Sequence, residues 1–166
     1  MKALLLIDVQ KSLVAECEAT APMLAVLVAQ LAKARAVAAP VLFVADRRVE
    51  PDPGLHPALE ARADEPLLWK DYCDAFLETD LDARLKALGV TELVIGGLQS
   101  DFCIDTSCRR AASLGYKVTL IADGHGTAAN GVLQAAQIVA HHNRVLRHFD
   151  AGQGQVRVQA GAELAF

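Results

Sequence analysis

The sequence predicts an α/β protein, a three-layer α/β/α sandwich around a mostly parallel, Rossmann-like sheet. Short apolar runs rich in β-branched residues alternate along the chain with longer segments whose leucines recur at helical spacing. The apolar runs are nearly continuous, as expected for strands buried on both faces of a parallel sheet. Because the 166 residues contain no repeat, linker or shift in composition, we expect one domain over residues 1–166.

Turn and capping residues delimit the individual elements. The expected strands are, in order, Ala3–Val9, Val41–Ala45, Glu92–Gly96, Val118–Ala122 and Gln155–Val158. The expected helices are about Pro22–Val37, with proline in its first turn, a helix capped by Thr79 that ends at Gly89, Phe102–Leu114, and Gly131–Phe149. The long polar stretch from Asp46 to Asp71 is interpreted as a loop, and loops of that length are often functional.

Several polar residues fall where the expected strands end. Asp8, Asp46, the turn 97–103 and the segment 123–125 all belong to the carboxyl edge of the sheet. Ligands of open α/β sheets bind at this edge. The sequence therefore places its candidate functional residues on one side of the molecule.

Cys103 lies at the junction between a buried strand and a helix, which we expect to place it in the first helical turn. Unpaired backbone N–H groups and the helix dipole favour an anion there, so the thiol is expected to be acidified to the nucleophilic thiolate. The same backbone amides can receive a developing oxyanion. The alternative is a small apolar side chain buried in the core.

Composition and charge exclude several classes of protein. With 53% hydrophobic and 22% charged residues the chain is expected to be globular and soluble. A formal charge of −4 and no basic stripe argue against a nucleic-acid partner. The apolar stretch Ala3–Ile7 is too short for a signal peptide or a membrane span, so we expect no membrane partner and a cytoplasmic location. The four cysteines, Cys17, Cys73, Cys103 and Cys108, lack metal-ligand spacing and are expected to be reduced thiols.

A nucleophilic cysteine needs a proton acceptor, and two constellations offer one. In the first, His125 is the base for Cys103, because histidine is the usual base for a thiol. In the second, Asp8 is the base and Lys70 from the long loop holds it. A carboxylate can serve if an apolar setting raises its pKa. The residues by themselves leave both constellations open.

Three segments resemble the motifs of the isochorismatase-like cysteine hydrolases, a superfamily that includes nicotinamidases and N-carbamoylsarcosine amidohydrolases. The three segments are Leu5–Gln10, Lys70–Phe76 and Gly97–Thr106, in the order and spacing of that superfamily. The resemblance implies a catalytic triad of Asp8, Lys70 and Cys103. It further implies a cis peptide between Leu98 and Gln99, which aims the Gln99 N–H at the oxyanion beside that of Cys103.

Two departures from the pattern bear on substrate and metal. Lys11-Ser12-Leu13 stands where many relatives carry Asn-Asp-Phe, so an aromatic wall of the pocket is expected to be missing. Asp46-Arg47-Arg48 stands where nicotinamidases carry an Asp-x-His metal motif. Both departures argue against nicotinamide as the substrate. We expect neither a metal nor any other cofactor.

The sequence thus predicts a hydrolase that cleaves a small amide, ureide or lactam C–N bond through a thioester. The candidate substrate contacts are Gln10, Leu13, Tyr72, Phe102 and His125. A small molecule is the expected partner, and the apolar, alanine-rich helices favour a homo-oligomer, a dimer or larger. The alternatives are a vinyl ether hydrolase, a Cys103/His125 thiol enzyme, and a binding protein that retains the pocket without catalysis.

Overall fold

The computed structural model describes all 166 residues, Met1–Phe166, and contains one seven-stranded sheet. The strands are β1 Lys2–Ile7, β2 Val41–Asp46, β3 Leu67–Lys70, β4 Glu92–Leu98, β5 Lys117–Gly126, β6 Asp150–Ala151 and β7 Gly154–Gln159. Their order across the sheet is β3-β2-β1-β4-β5-β7-β6. All neighbouring pairs are parallel except β6 and β7, so the predicted, mostly parallel sheet is confirmed.

Helices cover both faces of this sheet. They are α1 Lys11–Glu16, α2 Thr20–Ala36, α3 Leu81–Ala87, α4 Asp105–Ser113 and α5 Ala135–Leu146. Alternate residues of β1 enter two separate cores: Leu5 packs with buried side chains of α3 and α4, and Leu4 with those of α1 and α2. Successive side chains of a strand point to opposite faces, so one continuous apolar run serves both layers. The three-layer α/β/α arrangement is confirmed.

The stretch Asp46–Asp71 is not a plain loop as predicted, because it ends in strand β3. This strand is short and pairs only with β2, at the edge of the sheet, where it begins right after Pro66. The strand has only four residues, and an apolar pattern of that length does not distinguish a strand from a loop in the sequence. The strand matters because it carries Lys70 to the same sheet edge as Asp8 and Asp46.

Other boundaries also differ from the sequence predictions. The segment 123–125 belongs to β5, which continues to Gly126 instead of ending at Ala122. The last helix begins at Ala135 and not at Gly131, with Gln134 and Gln137 forming a capping box. The short elements α1 and β6 were not predicted. Among the helices, none is long and apolar enough to cross a membrane.

Candidate active site

Four neighbouring strands bring the site together at their carboxyl ends. Asp8 follows β1, Asp46 ends β2, Lys70 ends β3, and Cys103 lies in the turn after β4. Asp46 and Lys70 are register partners on adjacent strands. Gly97, at the end of β4, has φ +129°, and a Cβ there would overlap the carbonyl oxygen of Ile7. A glycine at this position lets β4 approach β1 closely just before the turn that carries Cys103.

The Lys70 ammonium is the centre of the site. Its Nζ lies 2.7 Å from Asp8 Oδ2, 3.0 Å from Asp46 Oδ2 and 3.3 Å from Cys103 Sγ. The Lys70 side chain is fully buried. An ammonium has three N–H donors, so these three partners use its whole capacity. Burial lowers the pKa of Lys70, but the charge of Asp8 and the hydrogen bonds to Asp8 and Asp46 outweigh it, and the pKa is raised overall.

Asp46 has further partners that Asp8 lacks. Arg48 donates from Nε at 2.9 Å and from Nη2 at 2.6 Å, and its main-chain N–H donates to Oδ1 at 2.9 Å. Gln10 holds the main chain of Asp46 by donating to its carbonyl and accepting from its N–H, at 2.8 and 2.9 Å. Sequence reasoning missed the role of Arg48, although a basic residue two positions after a strand-end aspartate was the available signal.

The two carboxylates have opposite pKa shifts. Burial raises the pKa of Asp8 to about 6, against the charge of Lys70. Burial also acts to raise the pKa of Asp46, but hydrogen bonds from Arg48 and Lys70 overcome it and the pKa is lowered. Carboxylates whose environments separate their pKa values typically take different chemical roles. The environment of Asp46 therefore favours its ionised form, whereas that of Asp8 favours its protonated form more than usual.

Cys103 is a buried, neutral thiol, which corrects the expectation of an acidified one. Burial raises the pKa of Cys103, and the charge of Asp8 raises it further against the effect of Lys70. The residue lies in a π-helical turn, Ser100–Ile104, which precedes α4, and not in the first turn of an α-helix. Because the thiol keeps its proton, nucleophilic attack requires a base. Asp8 is the candidate base, since a carboxylate oxygen of Asp8, one of Asp46 and the sulfur of Cys103 all lie within 4.8 Å of one another.

The same three side chains have donor types that a metal ion would accept. In this structure, however, they converge on the ammonium of Lys70, which lies within 3.3 Å of all three. Lys70 therefore supplies the positive charge between Asp8, Asp46 and Cys103.

The peptide bond between Leu98 and Gln99 is cis, at the position that the resemblance implies. Gln99 follows β4 directly and precedes the π-helical turn, so its main-chain N–H lies in the segment that leads to Cys103. Its side-chain amide donates to Cys17 Sγ at 3.7 Å.

A cavity of about 460 Å³ opens onto the thiol. It is lined by Asp8, Leu13, Glu16, Asp46, Arg48, Val49, Glu50, Cys73, Gln99, Phe102 and Cys103. Of the five candidate substrate contacts, Leu13 and Phe102 line this cavity. Gln10 and Tyr72 do not: Gln10 is fully buried with its amide on main-chain groups, and Tyr72 is 44% exposed.

His125 also lies outside the lining of the cavity. Its Nδ1 is 2.8 Å from Ser100 Oγ, and its Nε2 is 3.0 Å from Asn143 Oδ1. Both ring nitrogens are therefore engaged behind the turn, and burial lowers the pKa of the imidazole. The structure does not bring His125 to the thiol as the first constellation required, whereas it brings Asp8 and Lys70 together with Cys103.

Comparisons with known proteins identify the family of this chain. Residues 2–153 match the sequence model of the isochorismatase domain. A streptothricin hydrolase of Streptomyces noursei is 35% identical over an alignment that covers 76% of this chain and 50% of that protein. The nicotinamidase of Escherichia coli K12 is 34% identical over an alignment that covers 51% of this chain and 46% of that protein. The matches thus span about half the length of these curated relatives.

Solved structures show the same fold over nearly the whole chain. The crystal structure of an isochorismatase family protein superposes with a TM-score of 0.85 at 30% identity, covering 96% of this chain and 98% of the other. An isochorismatase from Pseudomonas putida gives a TM-score of 0.88 at 26% identity, covering 98% and 89%. The chain therefore belongs to the isochorismatase family.

Proposed function

We propose that this chain is a cysteine hydrolase that cleaves the C–N bond of a small amide, ureide or lactam, with Asp8, Lys70 and Cys103 as its catalytic residues. One observation carries the proposal: a neutral thiol, a carboxylate with a pKa near neutrality and a buried ammonium are in mutual contact at an open cavity. Such a thiol has the base that nucleophilic catalysis requires.

The first half of the reaction forms a thioester. Asp8 takes the proton of Cys103, and the sulfur attacks the carbonyl carbon, so that the C=O π electrons move to oxygen. The main-chain N–H groups of Gln99 and Cys103 hold this oxyanion. When the oxyanion collapses, the C–N bond breaks and the leaving nitrogen takes the proton from Asp8. Asp8 is then a carboxylate again, ready for the second half.

The second half returns the enzyme to its starting state. Asp8 removes a proton from water as the water attacks the thioester carbonyl. The tetrahedral intermediate collapses, the C–S bond breaks, and the proton on Asp8 returns to the sulfur of Cys103 as the acid leaves. Asp8 thus acts as base and acid in turn, which suits a group with a pKa of about 6.

Lys70 stabilises the negative charge that forms during the reaction, and Asp46 holds Lys70 in place. Lys70 donates toward both Asp8 and Cys103, so it stabilises the negative charge whether it lies on oxygen or on sulfur. Asp46 holds Lys70 from the other side. Neither residue needs to change its protonation state during turnover, since the pKa of Lys70 is raised and that of Asp46 is lowered.

The relatives support this class of reaction. One is a nicotinamidase and another a streptothricin hydrolase, and both names denote hydrolysis. Because each is matched over about half its length, their substrates are not transferred to this chain.

A screen of small amides, ureides and lactams tests the proposal. We expect Cys103→Ala to lower turnover of any hydrolysed compound by several orders of magnitude, about 10⁴-fold or more, because a covalent nucleophile is lost. Cys73→Ala is the matched control, since this thiol lines the same cavity and is expected to be dispensable. Mass spectrometry of the quenched reaction is expected to show an acyl group on the peptide that contains Cys103. Undiminished turnover by Cys103→Ala would contradict the mechanism.

A further inference from the structure

The charges around the active-site cavity do not cancel. Lys70 faces Asp8 below the cavity, and Arg48 is bound by Asp46 through two nitrogens on its wall. Two further carboxylates line the cavity, those of Glu16 and Glu50. With two cations and four anions, the charged side chains at this site sum to −2.

Glu16 and Glu50 are the carboxylates left without a partner. Both residues are exposed, and neither makes a salt bridge or a side-chain hydrogen bond. By contrast, the nearby surface carboxylates of Asp52 and Asp71 are paired with Lys11 and Arg47. Unpaired carboxylates at a cleft attract cations to it, because a low-dielectric wall concentrates their field.

The two glutamates come from separate segments and each has an apolar neighbour on the same cavity. Glu16 ends α1, three residues after Leu13, so both side chains lie on one helix face. Glu50 follows Val49 in the segment after β2, and both line the cavity. The lining of the cavity thus combines an apolar side chain with a negative charge in each of two segments.

A second observation, independent of the two glutamates, also indicates that this cavity binds a ligand. Asp8, on its lining, is fully buried, and its Oδ1 has no hydrogen-bond partner. The two cations are not available to neutralise the charges of the glutamates when a ligand enters. Lys70 uses its three donors inside the protein, and Arg48 forms a two-nitrogen contact with Asp46.

We propose that the substrate is a cationic amide, one that carries an ammonium or guanidinium group joined to the scissile carbonyl by a short hydrocarbon segment. Glu16 and Glu50 receive the positive charge, while Leu13 and Val49 contact the hydrocarbon. This inference rests on the proposed function, because it names the substrate class of the same site. Anionic amides are disfavoured by the same two glutamates.

Methanethiosulfonates of different charge measure this selectivity without turnover. The cationic 2-aminoethyl, the neutral methyl and the anionic 2-sulfonatoethyl reagents are applied separately, and modification of Cys103 is followed by peptide mass analysis. Rates are normalised to those with a free small thiol. For the wild-type protein we expect the cationic reagent to modify Cys103 about tenfold faster than the anionic one, with the difference shrinking at high salt.

Variants assign the effect to the two glutamates. Each of Glu16→Gln and Glu50→Gln is expected to lower the rate ratio, and the double variant to bring it to within about twofold of unity. Glu60→Gln is the matched control, because Glu60 is an exposed carboxylate outside the cavity lining. It is expected to leave the ratio unchanged. Glu16→Gln and Glu50→Gln, but not Glu60→Gln, are also expected to lower kcat/KM for an aminoalkyl amide relative to its alkyl isostere.

Two results would overturn the proposal: a wild-type ratio of one or below, which would show no preference for a cation, or a ratio that the double variant leaves intact, which would show that the two glutamates do not cause it. Hydrolysis of neutral amides together with a flat ratio would reject the cationic substrate and leave the cysteine hydrolase standing. A high ratio without Cys103-dependent hydrolysis of any cationic amide would instead count against the proposed function. Failure of all three reagents to modify Cys103 would count against both.

Discussion

The ends of β1 and β2 each place an aspartate against the ammonium of Lys70, but the pKa values of the two aspartates shift in opposite directions. Asp8 and Asp46 are both buried, and both lie within 3.0 Å of Lys70 Nζ. Asp46 also receives three hydrogen bonds from Arg48, whereas Asp8 receives none from any arginine. The pKa of Asp46 is consequently lowered, and that of Asp8 is raised to about 6. The shared lysine does not separate the two pKa values: deeper burial raises that of Asp8, and the hydrogen bonds from Arg48 lower that of Asp46.

Replacing each aspartate by asparagine is expected to give the largest difference in kcat/KM between two variants. Asp8→Asn removes the proton acceptor, so we expect kcat/KM to fall about 10³-fold, within the range for general-base catalysis. Asp46→Asn leaves Asp8 and Lys70 in contact, and a loss of about tenfold is expected because only the support of Lys70 weakens. Steady-state kinetics on a compound found in the amide screen measure both. Equal losses in the two variants would show that the aspartates share one role.

The sequence predicted one half of this comparison and not the other. Asp8 and Cys103 follow strands that the apolar pattern identifies, and motif order adds Lys70. The partnership of Asp46 with Lys70 depends on β3, an edge strand too short to be recognised. Burial, which decides the pKa of Cys103, results from packing of distant segments, so position at a helix start suggested the wrong direction.

Removing Lys70, the cation that both aspartates contact, is expected to lower both stability and activity. Lys70→Met leaves the carboxylates of Asp8 and Asp46 buried side by side, and breaking a buried ion pair costs about 3–5 kcal/mol of unfolding free energy. Activity is expected to fall about as far as in Asp8→Asn, and the double variant to fall no further, because the two residues act as one unit. Denaturant unfolding and kinetics of the single and double variants measure this. Additive losses of activity would contradict joint action.

The pH dependence of kcat/KM is expected to report Asp8. Because Asp8 must be ionised to accept the thiol proton, activity is expected to be full above its pKa of about 6 and to be lost as the pH falls through that value. The charge of Asp46 contributes to raising the pKa of Asp8, so Asp46→Asn is expected to move this acid limb to lower pH. A limb that stays in place in Asp46→Asn would argue that another group titrates.

The smallest expected effect concerns the polar chain behind the π-helical turn. Asn143 donates from Nδ2 to the carbonyl of Ala122 at 2.9 Å, which leaves its Oδ1 to accept from His125 Nε2. Burial lowers the pKa of His125, so the neutral ring carries its hydrogen on Nε2, and Nδ1 accepts from the hydroxyl of Ser100. Ser100 directly follows Gln99, whose main-chain N–H is the proposed oxyanion donor. His125 is therefore expected to be a positioning residue.

Loss of this support is expected to lower kcat about tenfold with KM unchanged, since the oxyanion donor is used in the transition state and not in binding. His125→Phe and Ser100→Ala are expected to give this split, and their double variant no additional loss, because each breaks the same hydrogen bond. His142→Phe, a change on α5 outside this chain of hydrogen bonds, is the matched control. Long-range ¹H–¹⁵N spectra are expected to show His125 with its hydrogen on Nε2 throughout the acid limb. If His125 instead titrated together with the rate, the imidazole and not Asp8 would be the group that sets the pH dependence.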